Sequence, residues 1–181
     1  EFAFDIDQIE SAQVFENHLD ALTTQPSTPA RNTVVVCGGG FTGIELATEL
    51  PARLRARFGD DTRIKIIVVE RGAVMGGRYS EALRSVIEEA SNELGIEWRL
   101  NSEIEAIDAS GVTLKNGERI ESSSVVWTAG VEAHSLTGQI DGERDGQARL
   151  RVNALLQVPA HPEVYATGDT AHAKTDDLGN K

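Results

Sequence analysis

Three glycines at a fixed spacing are the first feature of this sequence that could do chemistry. Gly38, Gly40 and Gly43 follow the pattern G-x-G-x-x-G within the segment TVVVCGGGFTGIELATEL, residues 33–50. The first glycine lets the chain turn sharply, the second lets the backbone approach a diphosphate, and the third lets a helix pack against a strand. A diphosphate there would face the free N–H groups and the positive dipole end of the helix.

The elements on either side of this turn fit a dinucleotide site. Four apolar residues, Val34 to Cys37, precede the turn, and apolar residues at helical spacing follow it. A second apolar strand, Ile64 to Val69, ends at Glu70. In dinucleotide-binding folds, a carboxylate at this strand tip accepts hydrogen bonds from the adenosine ribose. The alternative is an ordinary strand–helix–strand unit that binds no ligand.

The rest of the sequence surrounds this unit with further regular elements. Residues 5–23 predict an amphipathic helix, and TTQPSTPARN after it predicts a linker. A helix is expected over residues 81–94. Short alternating runs follow, with Asn116-Gly117 as a hairpin turn, before a parallel strand from Ser124 to Trp127. The predicted fold class is α/β, a Rossmann-like parallel sheet with an inserted antiparallel β-meander.

Composition and charge exclude several functional classes. The 181 residues carry a net charge of −12, so no basic face is available for nucleic acid. The arginine cluster at Arg53, Arg55 and Arg57 is interpreted as a solvated helix face. No apolar run reaches the roughly 18 residues of a membrane span, and no signal peptide is visible.

Cysteine and histidine usage gives no sign of a metal or a disulfide. Cys37 is the only cysteine, and it is interpreted as a small apolar residue at the end of a buried strand. His134, His161 and His172 lie far apart in sequence, so we predict no metal site. His18 falls on the polar side of the first helix and is expected to be exposed.

Small residues follow the last predicted parallel strand. The segment Trp127 to Val131 would leave room for a ligand at the crevice of the sheet, and an ordinary strand-to-loop turn is the alternative. Towards the end of the chain, a strand is expected near residues 147–152, VPAHP is expected to be a turn, and a strand over 164–167 leads into Gly168-Asp169.

Four motifs occur together in order, VVVCGGGFTGIELATEL, IIVVE, NGERIESSSVVWTAGV and HPEVYATGDTA. Together they resemble the pyridine nucleotide-disulfide oxidoreductase flavoproteins. The variant GGGFTGIELATEL with WTAGV is most similar to type II NADH dehydrogenases, which pass electrons from NADH through FAD to a quinone. The resemblance covers residues 3–173.

The resemblance implies a division of the chain into three parts. Residues 1–30 would be a helix and linker from the first half of a split FAD domain. Residues 31–132 would form the NAD(H)-binding domain, and residues 133–181 would be a truncated return segment of the FAD domain. Partial FAD-domain segments would therefore lie at both ends. The chain is expected to be a piece of a longer protein, because it begins abruptly at Glu1, ends in the polar run 174–181 and lacks a second glycine fingerprint.

The resemblance also assigns residues to the two cofactors, NADH and FAD. Phe41 and Thr42 would offer helix N-terminal amides to the pyrophosphate of NADH, and Ala129 and Gly130 would border the nicotinamide pocket. Glu45 would lie near the nicotinamide, and its alternative is an acid in the first helical turn that complements the dipole. In the returning segment, Gly168 and Asp169 match the family's contact with the ribitol and phosphate side of FAD.

The acid at the second strand tip bears on the choice of dinucleotide. The carboxylate of Glu70 would repel the extra phosphate of NADPH and so favours NADH. Arg71 and Arg78 weaken this preference, since either could pair with a 2′-phosphate or simply remain solvated.

In the whole enzyme, hydride would pass from nicotinamide C4 to flavin N5, and electrons would continue to a quinone. This chain alone is expected to bind NADH without turnover. One alternative is a soluble ferredoxin- or rubredoxin-type reductase with a small redox protein as its partner, and another is a dinucleotide-sensing module without redox chemistry. The lone Cys37 argues against thioredoxin reductases, which carry a Cys-x-x-Cys pair.

The same resemblance gives expectations for location and assembly. We expect a cytoplasmic chain whose parent lies peripherally on the inner face of the membrane. The FAD-domain segments would expose apolar surface, so a dimer is an expected consequence.

Overall fold

The computed structural model describes residues 2–77, 79–130 and 132–173. They fall into two compact units, Glu1–Ala129 and Gly130–Lys181. Predictions that concern Glu1, Arg78, Val131 and the polar run 174–181 lie outside the described residues.

The first unit contains a parallel sheet, an antiparallel sheet and three helices in its described part. The helices are Ile9–Leu22 (α1), Phe41–Phe58 (α2) and Glu81–Leu94 (α3). The strands are Thr33–Cys37 (β1), Lys65–Val69 (β2), Ile96–Arg99 (β3), Ile104–Asp108 (β4), Gly111–Leu114 (β5), Arg119–Glu121 (β6) and Ser124–Trp127 (β7).

The parallel sheet has the order β3-β2-β1-β7, as expected for a Rossmann-like unit. Val35 of β1 pairs with Ile67 of β2 on one side and with Val125 of β7 on the other. The chain therefore moves outward from β1 in one direction through β2 and β3, and later returns to add β7 on the opposite side. The carboxyl ends of β1 and β7 form the switch point at which open α/β sheets bind ligands.

Both faces of the parallel sheet are covered, which explains why β1 is apolar at every position after Thr33. Val34 and Val36 pack on the helix side with Leu50 of α2. Val35 and Cys37 face the other way, into a cluster with residues of β5 and β6. Strands buried on both faces have continuous apolar runs rather than alternating ones.

The antiparallel sheet β4-β5-β6 is the predicted meander, inserted between β3 and β7. Its second hairpin turns at Asn116-Gly117, where Gly117 has φ +88° and its amide donates to Leu114 O at 2.9 Å. Val112 and Leu114 of β5 are fully buried against the parallel sheet. The predicted α/β fold with an inserted meander is confirmed.

Helix α1 belongs to the same compact unit as the parallel sheet. It begins at Ile9, four residues later than predicted, and buries Phe15, Leu19 and Leu22 in the helix-side core. The assignment of residues 1–30 to the first half of a FAD domain stays a prediction.

The expectation that His18 is exposed was wrong. Its Nε2 lies 2.9 Å from Ser124 Oγ, and its ring centroid lies 4.6 Å from that of Phe4. The sequence places His18 on a polar helix face, but that face lies over β7, where a buried serine and an aromatic ring provide partners.

The arginine cluster of α2 is only partly solvated. Arg53 Nη1 donates to Glu16 at 2.6 Å, and Arg57 Nε donates to Asp20 at 2.7 Å. The solvated interpretation fails for Arg57, which is partly buried against the acids of α1, whereas Arg53 is exposed and pairs with Glu16 at the surface. Arg55 is exposed, as expected.

The second unit is built from short strands with its own small core. Its strands are Leu150–Arg151 (β8), Gln157–Val158 (β9), His161–Tyr165 (β10) and Ala171–His172 (β11). The last long strand starts at His161 rather than at the predicted Val164, because it forms a hairpin with β9 around Pro159 and Ala160. The core residues are Leu150, Val158, Ala166 and Ala171.

Candidate dinucleotide-binding site

The glycine turn connects β1 directly to α2, and two of its glycines are required by packing. Gly38 has φ +118°, and a Cβ added there would lie 2.9 Å from Cα and N of Ala129. A Cβ on Gly43 would lie 2.0 Å from the carbonyl oxygen of Gly38. The backbone after β7 therefore excludes a side chain at Gly38, and the close approach of α2 to the turn excludes one at Gly43.

Gly40 is different, because nothing in the described protein requires a glycine there. It is the N-cap of α2 with φ −75° and ψ −175°, a conformation open to any residue. An added Cβ would meet nothing within 4 Å. The backbone at Gly40 is thus bare towards open space, as expected where a ligand approaches.

The N-terminus of α2 is uncapped within the described residues. Gly40 has no side chain to cap the helix, and the amides of Phe41, Thr42 and Gly43 meet no acceptor in the described part of the chain. The first turn also contains no acid. Free N–H groups and an uncompensated dipole end make this helix start suitable for an anion.

Glu70 lies beside the turn, at the tip of β2. Its Oε2 accepts a hydrogen bond from Gly39 N at 2.7 Å, and its Oε1 accepts one from Gly72 N at 2.6 Å. An ionised carboxylate has about four acceptor positions, so capacity remains for a ribose hydroxyl. Trp98 packs beneath the turn, 2.7 Å from where a Cβ of Gly39 would be.

Three other predicted residues line the start of α2 or the loop after β2 and are exposed. Phe41 is 63% exposed and makes an edge contact with the ring of Tyr79 at 6.5 Å. Glu45 lies in the second turn of α2, so its alternative role as a first-turn acid is wrong. Arg71 is exposed, whereas Arg78 is outside the described residues.

The end of β7 completes the switch point on the other side of β1. Thr128 Oγ1 lies 3.1 Å from both Cys37 O and Gly38 O, and Ala129 packs on Gly38. Sequence reasoning missed Thr128, whose only signal was a small polar residue directly after a buried strand. Gly130, which has φ +111°, begins the second unit and is described with it.

The predicted FAD residues lie in the second unit. Gly168 has φ +61° and opens a short 3₁₀ turn, Gly168–Thr170, in which Asp169 is exposed. The turn leaves the Asp169 carboxylate accessible, which fits a contact with a ligand. The roles of Gly168 and Asp169, like those of the NADH residues, stay predictions.

Burial makes the thiol of Cys37 unreactive. It is fully buried at the end of β1, and burial raises the pKa of its thiol to about 12. Within residues 2–77, 79–130 and 132–173, no group of three or more metal-binding side chains comes together. In the same part of the chain, every helix is too short or too polar to cross a bilayer.

The parallel sheet with a glycine turn at its switch point is the arrangement of dinucleotide-binding α/β domains, and a comparison with known families assigns the chain to one of them. The model of the pyridine nucleotide-disulphide oxidoreductase family matches residues 1–179, and the chain belongs to this family.

Two relatives within this family show how similar the chain is to individual proteins. It is 41% identical over 179 residues to an NADH dehydrogenase-like protein of Mycobacterium tuberculosis, covering 98% of this chain and 45% of that protein. It is 30% identical over 145 residues to the type II NADH:quinone oxidoreductase of Haemophilus influenzae, covering 76% and 33%. The chain therefore spans less than half the length of these relatives.

A solved structure shows the same fold. The structure of NDH2 from Plasmodium falciparum in complex with NADH superimposes with a TM-score of 0.74 at 20% identity, covering 94% of this chain and 40% of that one.

Proposed function

We propose that this chain is the NADH-binding portion of an FAD-dependent NADH dehydrogenase that delivers electrons to a quinone. The observation that carries the proposal is the bare backbone at Gly40, next to an uncapped helix start and the carboxylate of Glu70. Membership of the oxidoreductase family supplies the redox context. The name of the 30% identical Haemophilus relative supports quinone rather than a small redox protein as the final acceptor.

The residues of the chain would bind and orient the dinucleotide. The amides of Phe41 and Thr42 bind the diphosphate, and Glu70 accepts a hydrogen bond from the ribose. Glu45, Ala129 and Gly130 border the nicotinamide, by resemblance. The chemistry that FAD would supply when bound is acceptance of a hydride from the dihydronicotinamide ring. Gly168 and Asp169 would contribute to holding the flavin, with the remainder of its site supplied by the longer parent.

The chain alone would bind NADH without turnover, because it spans under half of its relatives. The test is calorimetric titration of the 181-residue chain with NADH, alongside an NADH oxidation assay with added FAD and a soluble quinone. The expected result is saturable NADH binding with no oxidation above background. Absence of binding at millimolar NADH contradicts the proposal, and sustained oxidation contradicts its second part.

The proposal includes a preference for NADH over NADPH. Glu70 is held by two backbone amides, so its charge cannot swing away from a 2′-phosphate without losing both bonds. Glu70→Gln removes the charge and should reduce the NADH/NADPH affinity ratio by about tenfold, or about 1.4 kcal/mol. Glu49→Gln, at an exposed position of α2, makes the same charge change as a control. An unchanged ratio in Glu70→Gln contradicts this preference.

We also propose that the parent protein acts at the inner face of the membrane, since a quinone acceptor dissolves in the bilayer. Membrane flotation of the full-length parent, with and without its segments outside this chain, tests this. Recovery of the parent only in the aqueous fraction contradicts it.

A further inference from the structure

A single hydroxyl joins the end of β7 to the glycine turn. Thr128 Oγ1 lies 3.1 Å from Cys37 O and 3.1 Å from Gly38 O. The amide of Thr128 already donates to Cys37 O at 2.9 Å. Because a hydroxyl carries only one proton, the carbonyl that depends on it is Gly38 O.

The carbonyl of Gly38 in turn lies against the first turn of α2. It lies 2.0 Å from the position that a Cβ on Gly43 would occupy, so the first turn of α2 rests directly on it. Within the described residues, the Thr128 hydroxyl is the only hydrogen-bond donor to Gly38 O. On the opposite side, Gly38 N donates to Val69 O at 2.9 Å and Gly39 N donates to Glu70. The turn is therefore fixed from both neighbouring strands.

We propose that Thr128 is a positioning residue for the diphosphate cradle. Its hydroxyl orients the Gly38 carbonyl, which aligns the free amides of Phe41 and Thr42 with the ligand. This inference rests on the proposed NADH-binding function. The side chain of Thr128 would not contact the phosphates of the dinucleotide. It would instead position the backbone amides that bind them.

The rival explanation is that Thr128 only stabilises the fold, and the chain contains a matched control for it. Ser122 Oγ lies at the opposite end of the same two strands, 2.7 Å from Thr33 O of β1 and 2.8 Å from Ser124 O of β7. Ser122→Ala therefore removes a comparable hydroxyl between β1 and β7, far from the glycine turn.

The test compares Thr128→Val, Thr128→Ser and Ser122→Ala with the unmodified chain. Calorimetry should show NADH binding about tenfold weaker in Thr128→Val, since an unpaired carbonyl costs about one hydrogen bond. Thr128→Ser keeps the hydroxyl and should bind within about twofold of the unmodified chain. Ser122→Ala should lower the melting temperature yet leave NADH affinity unchanged.

A second readout needs no ligand. Amide hydrogen exchange measured by NMR should accelerate at Gly38, Gly39 and Ile44 in Thr128→Val but not in Thr128→Ser or Ser122→Ala. These are the amides whose partners lie in or beside the turn. A purely structural role would not single them out.

The outcomes are distinct. Unchanged NADH affinity in Thr128→Val overturns the inference, and so does an equal loss of affinity in Ser122→Ala. If the unmodified chain does not bind NADH, the proposed function fails and the inference fails with it. Should Thr128→Val not fold, Thr128→Ala, which also lacks the hydroxyl, takes its place under the same criteria.

Discussion

Replacing Gly40 by alanine should separate the needs of the ligand from the needs of the fold. Gly40 has φ −75° and open space where a Cβ would be, so the protein itself accepts the methyl group. Replacing glycine by alanine at an N-cap lowers the free energy of unfolding by about 0.5–1 kcal/mol. The lower conformational entropy of the unfolded chain raises it again by about 0.4–1 kcal/mol. The melting temperature should therefore stay within about 2 °C of that of the unmodified chain.

The effect on NADH should be much larger. In the proposed site, a methyl group at Gly40 would stand between the diphosphate and the amides at the start of α2, and losing one charge-assisted hydrogen bond costs about 1.5–3 kcal/mol. NADH affinity measured by calorimetry should fall about 10- to 150-fold. Gly146→Ala, where a Cβ also meets nothing within 4 Å, is the control and should bind normally.

One further variant completes the comparison. Gly43→Ala places a Cβ 2.0 Å from Gly38 O, so its melting temperature should drop sharply, unlike that of Gly40→Ala. If Gly40→Ala bound NADH with the affinity of the unmodified chain, the exposed backbone at Gly40 would have no role in binding the dinucleotide.

Three further outcomes follow from the packing of α1 and β1. Desolvation lowers the pKa of His18 below 6.5, against the opposing effect of a hydrogen bond to the Ser123 backbone. As the pH falls below about 6.5, His18 therefore takes up its proton in the unfolded chain before it does so in the folded chain. The free energy of unfolding, measured by urea denaturation, should decrease with pH until the folded pKa is passed. His18→Gln should remove this pH dependence. Because burial raises the pKa of Cys37 to about 12, a thiol-reactive disulfide reagent at pH 8 should react only as fast as the chain unfolds, and rapid native labelling would contradict this. Glu16→Gln should cost about 0.5–1 kcal/mol by weakening its pair with Arg57, with a smaller loss at high salt.

Local patterns were sufficient to predict the elements around the glycine turn. The apolar run Val34 to Cys37 predicted a short buried strand, and the three glycines after it predicted a turn followed by a helix, as the structure has them. The Asn116-Gly117 pair likewise predicted the hairpin by itself, because glycine readily adopts the positive φ that Gly117 has there, +88°. These features depend on residues close together in sequence.

Features that depend on distant partners were not predictable in the same way. His18 has a polar helix face in the sequence, yet Ser124, more than a hundred positions later, lies against it. The acids opposite Arg57 are on another helix. Thr128 acquires its significance only because β7 pairs with β1 and brings its hydroxyl to Gly38. A periodicity shows which residues share a face but not what that face meets.

The pairing of Phe4 with β7 has a practical consequence for anyone shortening this chain. Phe4 N donates to Val125 O at 2.9 Å, and Trp127 N donates to Phe4 O at 2.7 Å. Phe4 therefore forms a parallel β-bridge along the outer side of β7. A chain cut to start at Arg31 would leave that side with unsatisfied peptide groups, an open template for pairing with a second molecule. Such a truncation should precipitate or self-associate even though the glycine turn remains intact.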